Sequence, residues 1–166
     1  MGAGRFPIVE ELTEPRHPSL KAVYAYWLSK KGAAPAPPRS AIRPEEIASL
    51  LPNIVLLDVV GAPPRFRIRL FGTGLVAAYG TDITGKFMDE IDLDAVGGEV
   101  LAQLERAVQE VRPQIYRLAY TKTGDRRHLE YERIWLPLSP DGKTVTMLLG
   151  AFAVETAYAS LTPPPR

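Results

Sequence analysis

Four polar side chains that fall close together in the chain could meet an acidic ligand: Arg69, Tyr79, Asp82 and Thr84. A guanidinium donates two parallel N–H bonds to a carboxylate or phosphate, and neighbouring tyrosine and threonine hydroxyls would fix the ligand's orientation. The same residues admit a structural reading, in which Arg69 pairs with Asp82 or Asp58 and ties the helical middle of the chain to a strand. Even a partly buried charge needs such a partner. A second group is aromatic. Phe66, Tyr79, Phe87, Tyr116, Tyr120, Tyr131 and Trp135 could line an apolar pocket dotted with hydroxyls, as small-molecule sites are built, or could fill an ordinary core. A third is the stripe Leu20, Tyr24, Trp27 and Leu28. That apolar helix face packs on its own sheet or joins a second copy in a homodimer.

Other chemistries find little material. There is no cysteine, which excludes disulfides, thiolate metal sites and cysteine nucleophiles. Histidine occurs only at His17 and His128, which gives metal hydrolysis and histidine-based triads little support. The carboxylate pairs Asp89/Glu90 and Asp92/Asp94 read as helix-start or surface residues. The run Gly72-Thr73-Gly74 is too short for a phosphate loop and has no lysine. No nucleophile–base pair stands out, so no catalytic residue is assigned and no enzyme is expected. Twenty basic against 19 acidic side chains give a net charge of +1, which provides no general attraction to nucleic acid. The stripe Arg65, Arg67, Arg69 and the turn Arg126, Arg127, His128 read as solvated or salt-bridged. No apolar run approaches the roughly 18 residues of a membrane span, and the N-terminus has no signal-peptide core. A cytoplasmic location is the default expectation.

The elements that must position these residues follow from periodicity. A chain of 166 residues, 46% apolar and 23% charged, fits one domain of ordinary size. Residues 1–16 read as a flexible N-terminus and 156–166 as a C-terminal tail, leaving a domain over 17–155. Its first helix spans 17–32 with Leu20, Val23, Tyr24, Trp27 and Leu28 on one stripe, stopped by Gly32. A proline-rich connector covers 33–40. Pro44, followed by Glu45 and Glu46, opens a short helix that buries Ile47, Leu50 and Leu51. Strands at 54–60 and 65–71 form a hairpin. If Val60 faces Arg65, then Val55, Leu57 and Val59 share a face with Phe66, Ile68 and Leu70, and Leu56, Asp58, Arg67, Arg69 and Phe71 share the other. That register sets Asp58 opposite Arg67 and diagonal to Arg69. The second face is mixed and needs a partial cover, for which the first helix is the candidate. A glycine-punctuated middle, a helix over 94–111 and strands at 114–122, 128–138 and 144–155 complete an α+β domain with one five-stranded antiparallel sheet. Helices of the middle cover one face and enclose a cavity. The facing of the last three strands stays open, because both of their faces carry apolar residues.

This order of elements resembles a PAS domain. The stretches PPRSAIRPEEIASLLPNIVLLDV, RFRIRLFGTGLVAAYGTDITGKFMDEI and WLPLSPDG are more specifically similar to a bacterial PAS-like family, many of whose members are single-domain proteins. Arg39, Pro44, Pro52, Arg69, Gly72, Thr73, Tyr79, Gly80, Asp82, Thr84 and Gly85 fall where that family's pattern has them, and Thr81 departs from a position where a basic residue is commoner. The resemblance covers about 18–155. It implies a sensory or regulatory domain that binds a small molecule in a sheet–helix cavity and passes its state to a separate signalling protein, or else a ligand-free dimerisation adaptor; fold alone does not choose between them. The cofactor is left unknown. Haem is disfavoured because neither histidine lies on the long helix that supplies the axial ligand in such domains, and a cysteinyl flavin is impossible without cysteine. The expected ligand-binding set is Phe66, Arg69, Tyr79, Thr84, Phe87, Tyr116 and Tyr131, and the expected interface set is Leu20, Tyr24, Trp27 and Leu28.

Overall fold

Strand β2 (Ile54–Val60) buries Val55 and Leu57 on one face and Ile54 and Leu56 on the other, so the sheet it belongs to must be covered on both sides. The computed structural model describes residues 8–93, 99–121 and 128–154. Besides β2, the sheet contains β1 (Ile8–Glu11), β3 (Arg65–Phe71), β4 (Gln114–Thr121), β5 (His128–Leu138) and β6 (Met147–Val154). The order is β1-β4-β5-β6-β2-β3, with every neighbouring pair antiparallel. Six strands stand where the sequence predicts five. Residues 8–11 lie inside the stretch expected to be flexible, yet they pair along the edge of β4, from Ile8 opposite Ala119 to Glu11 opposite Tyr116. Four residues ending in two glutamates are too few to show strand alternation; the partner edge makes the strand. Residues 1–7 and the tail 156–166 lie outside the described residues.

One cover is α1 (Pro18–Lys31). The His17 side chain caps it by accepting from the Ser19 N–H at 3.2 Å, Pro18 occupies its first turn, and Gly32 ends it at φ 54°. Its buried stripe Leu20, Val23 and Trp27 packs with Ile42, Ile54, Leu56, Ile115, Ile134, Leu136 and Leu149. The Trp27 indole donates to the Pro137 carbonyl at 2.9 Å. The buried Glu132 carboxylate accepts the backbone N–H groups of Arg16 at 2.8 Å and His17 at 3.1 Å, and so anchors the start of the helix to β5. Of the expected interface residues, Leu20 and Trp27 are each 1% exposed within this chain, Tyr24 stacks half-buried on Trp27, and Leu28 is exposed.

The other face is covered by α2 (Thr73–Tyr79), a single 3-10 turn at Met88–Glu90 and α3 (Val100–Glu110). Leu75, Ile83, Met88, Val100, Leu104 and Ala107 pack there on Val55, Leu57, Phe66, Ile68, Trp135 and Leu148. The helix predicted over 94–111 is described from Val100; residues 94–98 lie outside the described residues. The short helix predicted after Pro44 is a 3-10 helix, Pro44–Asn53, broken at Ile47. The close approach of this segment to the start of α2 demands glycine at position 72, where a Cβ would lie 2.3 Å from the Pro52 carbonyl oxygen.

The β2–β3 hairpin has the predicted pairing at its turn end: Asp58 lies opposite Arg67 and accepts from Arg67 at 3.1 Å and from Arg69 at 3.0 Å. A bulge between Leu56 and Leu57 then changes the facing, since Leu57 opposes Ile68 but Leu56 opposes Leu70. Leu70 therefore turns outward, 40% exposed, and Phe71 turns toward the inner core opposite Val55, the reverse of the predicted assignment for these two residues.

Trp27→Ala is expected to lower stability by about 3–5 kcal/mol, the range for deleting a buried aromatic ring. Leu28→Ala, on the exposed side, should change it by less than about 0.5 kcal/mol. Urea denaturation of both variants reads this. Equal stability of Trp27→Ala and wild type, with an altered hydrodynamic size, would mean that the tryptophan serves an interface.

Candidate functional site

On β5 the residues Tyr131, Arg133 and Trp135 follow one another at strand period on the face under α3. Register sets Leu118 opposite Tyr131, Tyr116 opposite Arg133 and Gln114 opposite Trp135. This corner of the inner face is polar as well as aromatic, and it is buried: Arg133 is 0% exposed, Gln114 1%, Tyr116 3% and Tyr131 5%. From above, the buried stripe of α3 is Val100, Gln103, Leu104 and Ala107, the i, i+3, i+4, i+7 pattern of a core-facing helix with a glutamine at one core position.

These groups are bonded to one another. The Arg133 Nε–H donates to Gln103 Oε1 at 2.8 Å and an Arg133 Nη1–H points at the Tyr131 hydroxyl at 3.4 Å. The Tyr116 hydroxyl accepts from Arg106 at 2.8 Å and donates to Gln114 Oε1 at 2.9 Å. Burial pushes the Tyr116 phenol up, against the pull of Arg106, so it stays a neutral hydroxyl able to do both. Among the described residues three buried side-chain nitrogens have no partner: Gln103 Nε2, Gln114 Nε2 and Trp135 Nε1. An unpaired buried donor costs about 1–3 kcal/mol, and three around one arginine call for an explanation. The Trp135 ring meets Phe152 edge-on at 5.5 Å and lies across Gly150, where a Cβ would come within 2.3 Å of the ring. Chemically, the three unpaired N–H groups are hydrogen-bond donors and suit a group rich in acceptors. Among the described residues no cluster of three histidine, aspartate or glutamate side chains could hold a metal ion, and no helix is long and apolar enough to cross a membrane.

Of the residues expected to bind ligand, the structure brings Tyr116 and Tyr131 together at this site. Phe66, 2% exposed, belongs to the apolar core under α3. Tyr79 is half-buried, edge-on to Phe71 at 6.1 Å. Phe87 is half-buried at the outer end of β3, with the Arg65 guanidinium 3.9 Å from its ring centre. The side chain of Tyr120 and the turn 122–127 lie outside the described residues. The polar constellation does not assemble. Arg69 sits on the exposed side of β3 and pairs with Asp58, while Thr84 caps its own turn, donating from N at 3.0 Å and Oγ1 at 2.6 Å to Asp82. Those bonds hold the Asp82 carboxyl below its ordinary range. Arg69, on β3, and Thr84, in the turn after Asp82, are both exposed. Sequence reasoning missed Gln103, Gln114 and Arg133 as site residues and read Trp135 only as one aromatic among several. The signal was the alternation Tyr131, Arg133, Trp135, which puts an arginine on an aromatic face, and the glutamine interrupting the stripe of α3.

A family model described as a PAS domain matches residues 15–153, well over half of the chain. No curated protein matches. Sixteen chains of solved structures do. One is a light-oxygen-voltage domain studied with a flavin analogue, at 15% identity and a TM-score of 0.49, over 70% of this chain and 89% of that one. Two are the blue-light photoreceptor Aureochrome1 LOV, its light state at 12% identity and TM-score 0.47, over 70% of this chain and 94% of that one. Its dark structure matches at 13% and 0.48, over 70% and 87%.

Tyr116→Phe is expected to cost about 1–3 kcal/mol, since it strands the buried Gln114 oxygen and removes the acceptor for Arg106. Arg69→Ala removes a solvent-exposed pair and should cost less than about 1 kcal/mol. Chemical denaturation of the two variants side by side checks this, and the reverse ranking would relocate the important polar group to β3.

Proposed function

Because the chain belongs to the PAS-domain family, we propose that it is a sensory domain that holds a small molecule between α3 and the sheet and passes its occupancy to a separate protein. The observation that supports this most is the set of three partnerless buried donors around Arg133. A ligand bearing acceptors would remove their cost on binding, so the interior is built more for an occupant than for its own packing. Tyr116 and Tyr131 would orient the ligand, with Phe66 in the apolar lining.

Output follows from β5. Its inner face carries Arg133 and Trp135, while Glu132 and Pro137 of the same strand hold α1 on the opposite face. A ligand that binds one arrangement of β5 better than another would bias how firmly α1 is held, and only that difference in affinity can transmit a signal. With Leu20 and Trp27 buried, a homodimer or partner contact would use the exposed side of α1 rather than its stripe.

Native and denaturing mass spectra of gently purified protein, with the visible absorption recorded alongside, test the reading. A native mass exceeding that of the chain by a small molecule is the expected result, and the same spectrum reports the oligomeric state. A clean chain mass, together with no thermal shift across a screen of small metabolites, would replace the sensor with a ligand-free interaction domain.

A further inference from the structure

Resting on that reading, we propose that the group recognised in the interior is the carboxylate of a small organic acid with an apolar body. All three partnerless buried side-chain atoms are N–H donors, and none is an acceptor. The orientation of Gln103 is fixed by chemistry: the Arg133 Nε–H can only donate, so it must meet Oε1, which leaves Nε2 aimed elsewhere. The Tyr116 hydroxyl accepts from Arg106 and donates to Gln114 Oε1, and Gln114 Nε2 has no partner. The indole of Trp135 is a donor only.

Register gathers these groups into one patch, since Gln114 opposes Trp135, Tyr116 opposes Arg133, and Gln103 is bonded to Arg133. A ligand amine would set donors against donors. A carboxylate offers these donors two oxygens with about four acceptor positions. Leu104, Ala107 and Leu148, which pack in the same core as Trp135, suit an apolar body.

The molecule contains its own reporter and control. Trp27 and Trp135 are its two tryptophans; the Trp27 indole N–H is bonded to Pro137 and that of Trp135 is unbonded. In a nitrogen–proton correlation spectrum, titration with straight-chain alkanoates from butyrate to decanoate should move the Trp135 indole resonance downfield and leave that of Trp27 in place, with a rise in melting temperature. Matching alkylamines and primary amides are the comparison series. Trp135→Phe keeps a ring and removes the donor, and should weaken alkanoate binding about tenfold. Gln103→Glu keeps the acceptor for Arg133 but turns the unpaired donor into a second carboxylate oxygen, and should weaken it about 100-fold or more while the protein stays folded. Amines or amides that move the same resonance as strongly as alkanoates would overturn the carboxylate assignment and leave the sensory reading standing. The same holds for a retained non-acidic molecule in the native spectrum. If no series moves Trp135 and the native mass is that of the bare chain, both fall.

Discussion

Strand β5 lies inside the sheet with a partner on each side, and both of its faces are covered from Tyr131 to Leu138, so each side chain of that stretch must be satisfied in one of two interiors. The two-residue period of a strand makes that assignment rigid. Ile134, Leu136 and Leu138 go to the α1 side and are 0% exposed; Arg133 and Trp135, also 0% exposed, go to the α3 side. The position of α1 follows from the first set, since Trp27 and the chain leading into the helix hydrogen-bond to β5 itself. The position of α3 follows from the second, since Gln103 is the acceptor Arg133 requires.

The two interiors are built differently. The α1 side has an apolar buried cluster, and the buried carboxylate on that side among the described residues, Glu132, accepts from two backbone N–H groups. The α3 side contains an arginine, two glutamines and two tyrosines in addition to its apolar residues. Three unpaired donors at about 1–3 kcal/mol each are a sizeable share of a domain stability of about 5–15 kcal/mol. Both sides have an extensive apolar cluster, and the unsatisfied donors belong to the α3 side alone among the described residues.

Element types and order were legible in the sequence, because the strands of the hairpin, the stripe of α1 and the turn glycines each have a local physical signature. The Asp58–Arg67–Arg69 arrangement could be read from hairpin register alone. What escaped has identifiable causes. The bulge at Leu56/Leu57 leaves no mark when Leu70 and Phe71 are both apolar and either could face inward. Strand β1 exists only through β4, so nothing in IVEE announces it. The site escaped because Tyr131-Glu132-Arg133-Ile134-Trp135 alternates equally well in both directions: one phase gives an arginine between two aromatics, the other an isoleucine beside a glutamate. Only the closed sheet, with its two covers in place, distinguishes them. Arg69 and Thr84 attracted notice as polar residues beside a glycine-rich segment, and the interior turned out to draw its polar groups from the strands and helix that looked most like core.

Because the faces of β5 alternate strictly, a change in its length by one residue has a different effect from any substitution in it. Inserting or deleting a single residue within 131–137 would send everything beyond that point to the opposite interior, putting Trp135 against α1 and Leu136 under α3, with Glu132 or Arg133 stranded among apolar neighbours. Unless a bulge like that of the β2–β3 pair absorbs the change, divergence along this strand proceeds by replacement in place. Tyr131, Arg133 and Trp135 can be exchanged to suit another occupant while Ile134, Leu136 and Leu138 hold still, and variation in length is displaced to connections such as 61–64 and 139–146. A lineage of such domains would keep the spacing of this strand fixed even where it keeps none of the residues on its inner face.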